Sequence, residues 1–136
     1  FYTALAGGLL FWLALYFIQQ PLIQWRWPLL EPWQFLVPVL FYPLIEEVIF
    51  RGLLQELLHE YISQRSIGPL TVANILTSVV FTAMHFLTHS PLWAALVFFP
   101  SLVFGFFKDR TGRLPAPVLL HVFYNAGFFW LFTTPA

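Results

Sequence analysis

Apolar runs fill most of this chain, and the polar breaks between them are too short to fold alone. A helix crossing hydrocarbon needs about 20 mostly apolar residues, within a range of about 17–25. On that measure five spans are expected: Tyr2 to Ile18, Phe35 to about Leu58, Leu70 to about Leu87, Leu92 to Phe107, and Ala116 to about Phe132. Composition points the same way, with 60% hydrophobic and 9% charged residues among 136, against about 45–50% and about 25% in soluble domains. So short a chain buries only about 60–70% of its unfolded surface, and the excess apolar surface must face lipid. Backbone groups in lipid have to be bonded within the structure, and these runs are too long for barrel strands. The expected fold class is therefore all-α, a polytopic transmembrane helical bundle.

No internal repeat or linker interrupts the pattern, so residues 1–136 are read as one integral-membrane domain. The first run lacks basic flanks and is not followed by a small-residue cleavage site, so it is read as a span and not a signal peptide. Pro21, Pro28 and Pro32 break the first connection, where Trp25, Arg26, Trp27 and Trp33 have the character of an interfacial belt. The fourth connection is read as a polar turn from Lys108 to Arg113. With five crossings, Arg65, Lys108, Arg110 and Arg113 fall in connections on one side and only Arg26 on the other. The basic side is expected to be cytoplasmic, placing the amino terminus inside and the carboxyl terminus outside a membrane, taken as a prokaryotic cell membrane. Formal net charge is zero and no basic face is visible, which argues against a nucleic-acid partner. The lack of cysteine removes disulfides, thiolate metal ligands and cysteine nucleophiles.

Within these apolar runs a few residues are costly. The second span holds Glu46, Glu47 and Arg51, and an ionised side chain at mid-membrane costs about 2.5–3.5 kcal/mol on insertion scales. Glu47 and Arg51 are four apart and share a helix face, which allows an ion pair; Glu46 is turned about 100° away. Taken alone, the pair reads equally well as a packing device. The third span adds His85, and the fifth adds His121 and Asn125, again four apart on one face. A lone imidazole in an apolar helix is more often a packing residue than a catalyst. Three helices that each carry such groups are different, because the groups satisfy one another only by converging, and convergence makes a pocket.

His59, His89, Glu31, Glu56 and Glu60 are read as interfacial or solvated, and Phe98, Phe99, Phe104, Phe106 and Phe107 as lipid-facing or core. Depth sets a tension. Glu46 is near the middle of its span, His85 near the outer end of the third, and His121 in the inner half of the fifth. Their levels differ by roughly 10–20 Å at about 1.5 Å per residue, so the second or third boundary is expected to shift.

In order along the chain, Glu46-Glu47-x-x-x-Arg51, Phe81-x-x-x-His85 and His121-x-x-x-Asn125 resemble the motifs of the CPBP family, also called Abi, which comprises CAAX-prenyl endopeptidases and bacteriocin-processing enzymes. The resemblance covers about residues 35–125. It implies an intramembrane endopeptidase that cuts a membrane-associated or lipid-modified protein or peptide within the lipid bilayer.

Peptide hydrolysis needs an activated water, donors for the developing oxyanion and a proton for the leaving amine. The resemblance makes the first glutamate, Glu46, the water-activating group; the residues alone do not separate Glu46 from Glu47. Glu47 paired with Arg51 then holds the local charge and orients the helix, His85 shares in activating water, and His121 and Asn125 donate to the oxyanion. The resemblance further implies a metal-independent reaction without a cofactor. Two histidines and a glutamate also make a zinc set, so zinc-dependent hydrolysis stands as the minor alternative, although the tight His-Glu-x-x-His pairing is missing. Two other classes stay open. One is a proton-coupled transporter subunit, since carboxylate and imidazole chains also build relays, here without the internal repeats usual in transporters. The other is a non-catalytic immunity or scaffold protein whose cluster only locks packing.

Overall fold

The computed structural model describes residues 1–62 and 65–133. Three elements come first: α1 (Tyr2–Gln19), α2 (Trp27–Leu30) and α3 (Pro32–Leu36). With α3 begins a helical run over 32–61. It passes through a π-helical stretch (Val37–Phe41), α4 (Tyr42–Glu47), a second π-helical stretch (Val48–Leu54) and α5 (Gln55–Tyr61). A small hairpin, β1 (Ser66–Ile67) against β2 (Leu70–Thr71), turns the chain into α6 (Val72–His85). Then come α7 (Pro91–Leu96), α8 (Phe98–Thr111) and α9 (Pro115–Phe132). The starts and stops have local causes. Pro32, Pro91 and Pro115 open helices, where a missing N–H is not missed. The Thr71 hydroxyl accepts from the Asn74 N–H at 3.0 Å and caps α6. Gly112, at φ 66°, ends α8.

Among the described residues, three helices are long and apolar enough to cross a bilayer: Tyr2–Gln19, Pro91–Thr111 and Pro115–Phe132. These are the first, fourth and fifth expected spans. The fourth runs on through Lys108–Thr111, where the sequence pattern suggests a turn. The third expected span is trimmed at both ends, since Leu70 and Thr71 belong to the hairpin and the helix stops at His85. Its 14 residues rise only about 21 Å, against about 30 Å of hydrocarbon. The second is longer than expected at both ends.

Contacts divide the chain into two compact units, Phe1–Ile45 with Leu119–Ala136, and Glu46–Val118. In the first, α1 and the later part of α9 run the same way. Gly8 faces Tyr124, while Trp12 meets Phe123 (ring centroids 4.7 Å apart) and Gly127, where a Cβ would lie 2.1 Å from the indole. Trp27 departs from its expected interfacial place: it is 2% exposed and donates from Nε1 to the Trp130 carbonyl at 3.2 Å. A buried indole needs such an acceptor; Trp25 and Trp33 remain exposed.

The second unit is held by a polar ladder. Arg51 bonds Ser101, Gln55 bonds the Gly105 carbonyl, and His59 bonds Asp109, each pair 50 residues apart in sequence. A constant offset at steps of four means that α5 and the π-helical stretch before it run parallel to α8, in register. The same direction brings the α5 and α8 ends together, so Lys108, Arg110 and Arg113 share one end with Arg65 just beyond α5. Helix α6 returns between them. Asn74 donates from Nδ2 to the Leu102 carbonyl at 3.0 Å and accepts from the Ser78 hydroxyl at 3.2 Å.

Gly105 makes this approach fit, because a Cβ there would lie 2.0 Å from Asn74 Oδ1. Overpacking of this kind costs about 1–3 kcal/mol. Gly105→Ala is therefore expected to lower the thermal midpoint in detergent by several degrees. Gly7→Ala, where nothing lies within 4 Å, should leave the midpoint in place.

Candidate active site

The paired glutamates lie where helix geometry is least regular. They end α4, which has a π-helical stretch on each side. On the amino-terminal side the Tyr42 N–H reaches back five residues to the Val37 carbonyl, and on the other side the Gln55 N–H reaches back five to Phe50. Such widened turns recur at functional sites.

Arg51, four residues after Glu47, is fully buried, as is Glu47 itself. Its Nη1 donates to Glu47 Oε1 at 3.2 Å, and its Nη2 donates to the Ser101 carbonyl at 2.8 Å and the Ser101 hydroxyl oxygen at 2.6 Å. The guanidinium carbon lies 4.7 Å from the Phe81 ring centroid and 5.5 Å from that of Phe104, a cation-π sandwich. Glu46 is half-buried and close enough for its charge to act on Arg51. One carboxylate of the pair is thus embedded, and its neighbour is half-buried.

His85 is half-buried, with its ring centroid 4.5 Å from that of Phe81. Its Nδ1 lies 2.8 Å from the Phe81 carbonyl oxygen. A carbonyl only accepts, so Nδ1 carries a proton. Phe81 therefore supports both the arginine and the imidazole. It also meets Phe50 edge-on at 4.9 Å. The hairpin returns α6 along the run before it, which sets Phe81 against Phe50. Both boundaries expected to shift do so, the run reaching 61 and α6 beginning at Val72.

His121 and Asn125 belong to the first unit. His121 is buried at 6% exposure, and Asn125 donates from Nδ2 to the Pro38 carbonyl at 2.8 Å. Glu46, Glu47, Arg51 and His85 all belong to the second, where the Phe81 ring lies beside both Arg51 and His85. Among the described residues, no three or more His, Asp or Glu side chains are gathered as a metal-binding group.

Two of the residues read as interfacial or solvated are tied into the second unit. His59 Nε2 lies 2.8 Å from Asp109 Oδ1, which also accepts from Gln55 at 2.6 Å, while Thr71 donates to Oδ2 at 2.7 Å. Glu56 pairs with Lys108, itself 6% exposed. His89 and Glu60 are exposed, as expected. Reading one span at a time misses Ser101, Phe104 and the role of Phe81. The signal that could have found Ser101 is the matched spacing of 51, 55, 59 and 101, 105, 109.

Compared with known proteins, residues 27–127 match the family model described as type II CAAX prenyl endopeptidase Rce1-like. No curated protein and no solved structure matches the chain.

Removing one member of a buried ion pair costs about 3–5 kcal/mol, because the other is left uncompensated, whereas replacing both is often near neutral. Arg51→Met is expected to depress the thermal midpoint strongly. The double change Glu47→Leu with Arg51→Met should recover most of the loss in the same detergent assay.

Proposed function

The chain belongs to the Rce1-like type II CAAX prenyl endopeptidase family, and from that membership we propose that it hydrolyses a peptide bond of a lipid-modified or membrane-associated protein with Glu46 as general base. The observation that carries the choice of Glu46 is the division between the two carboxylates. Glu47 is fully buried and bonded to Arg51, while Glu46 is half-buried one residue earlier. A general base has to reach water and change its protonation. A carboxylate that neutralises a buried guanidinium is poorly placed to do either.

In the proposed reaction Glu46 takes a proton from water as the oxygen attacks the scissile carbonyl carbon. The Nε2 lone pair of His85 accepts from the second O–H of that water and orients it. Negative charge develops on the former carbonyl oxygen, where His121 and Asn125 donate. Glu46 then returns its proton to the amide nitrogen, the C–N bond breaks, and a carboxylic acid and an amine leave. Arg51, anchored to Ser101 and Glu47, fixes the helix on which Glu46 is carried. No metal enters this sequence of steps. The family membership favours a substrate with a prenylated carboxyl-terminal tail, recruited from the bilayer.

The test uses the purified protein in lipid vesicles with a prenylated CAAX peptide and its unprenylated twin. Cleavage of the prenylated peptide is expected, with Glu46→Gln and His85→Ala each reducing turnover by about 10²-fold or more, the scale of a lost acid-base group. Chelators should leave the rate intact. Full turnover by Glu46→Gln would sink the assignment of the base, and chelator inhibition reversed by zinc would replace the mechanism with a metal-dependent one.

A further inference from the structure

The Pro38 carbonyl lacks a donor at the two helical positions that would normally supply one. In α spacing the donor is the N–H of residue 42, but Tyr42 donates to Val37. In π spacing the donor is the N–H of residue 43, and residue 43 is proline, which has none. A carbonyl left unbonded at membrane depth is costly. Asn125 meets that need, donating from Nδ2 at 2.8 Å across the first unit.

The contact also orients the amide. The Pro38 oxygen can only accept, so Nδ2 must point toward it and Oδ1 away. One Nδ2 hydrogen is committed, and the planar carboxamide fixes the direction of the other. We infer that Pro43 is a positioning residue: by withholding a backbone N–H five residues after Pro38, it leaves open a carbonyl hook that holds the Asn125 side chain in one orientation. Pro43 is itself fully buried and lies three residues before Glu46. The hook stands on geometry alone; its effect on turnover rests on the proposed oxyanion role of Asn125, since a donor aimed in advance needs no reorganisation when charge develops.

A double-mutant cycle separates these two levels. The parent chain, Pro43→Ala, Asn125→Leu and the double variant are purified in detergent and their thermal midpoints compared. Leucine matches asparagine in size and cannot donate, while alanine at 43 restores a backbone N–H for the Pro38 carbonyl. Asn125→Leu is expected to lower the midpoint by several degrees in the parent and by less than half as much in the Pro43→Ala background. Equal losses in both backgrounds would overturn the hook. Pro43→Gly restores the same N–H and repeats the cycle should the alanine variant fail to fold.

With a prenylated peptide, Pro43→Ala is expected to lower kcat several-fold with KM unchanged, the pattern of an interaction made only in the transition state. Coupled midpoints with an unchanged kcat would overturn positioning through Asn125. A parent chain that cleaves nothing would defeat the proposed function, while the midpoint cycle would still decide for or against the hook.

Discussion

The charge on Arg51 is the constraint from which the second unit follows. Taking an ion out of water costs several kcal/mol even after the surroundings relax, and a single ion pair at 3.2 Å does not offset that. The balance comes from a set: the Glu47 carboxylate on its own helix, the Ser101 carbonyl and hydroxyl on α8, the Phe81 face on α6 and the Phe104 face on α8. The set is complete only when three helices have met. Helices in lipid gain little from hiding apolar surface against one another, so polar groups and small residues carry more of the specificity. Arg51 supplies that specificity by being expensive anywhere else.

Register follows from the same interaction. Sliding α8 by one turn would set Gly105 opposite Arg51, removing the hydroxyl, and would carry Asp109 away from His59. Gly105 admits Asn74, and Asn74 in turn ties α6 to the Leu102 carbonyl. At the far end, Asp109 collects Gln55, His59 and Thr71, which closes the helix pair and the hairpin on one carboxylate. The widened turns on either side of α4 occur in the segment that carries the glutamates. The ladder begins at Glu47 and continues away from Glu46.

Much of this was legible in the sequence, and the limits have physical causes. The Glu47–Arg51 pair was readable because both partners are on one helix, where a spacing of four fixes their relation. The ordered motifs pointed to the family and to four residues that share the second unit. What periodicity cannot show is the partner on another helix. Lys108 and Asp109 look like a solvated turn from their charge alone; they stay helical because Glu56, Gln55 and His59 satisfy them. Trp27 looks like a belt residue until the Trp130 carbonyl is placed beside it. The π-helical stretches leave no trace in an apolar pattern of period 3.6. Phe81 and Phe104 are two of many aromatic residues, and only the guanidinium between them marks their role.

Two adjacent glutamates meet different surroundings within a single residue step. A helix turns about 100° per residue, so Glu47 enters the packed core while Glu46 stays half-buried. That separation bears on the competing idea of a proton relay. A relay through both carboxylates would require Glu47 to take up a proton and release Arg51, leaving a fully buried guanidinium uncompensated at a cost of about 3–5 kcal/mol in every cycle. The proposed hydrolysis asks only Glu46 to gain and lose a proton, with His85 Nδ1 held at the Phe81 carbonyl and the Arg51 set unbroken. A cluster in which one acid is locked to a buried guanidinium while its neighbour stays half-buried fits the proposed hydrolysis better than a relay that must break that pair.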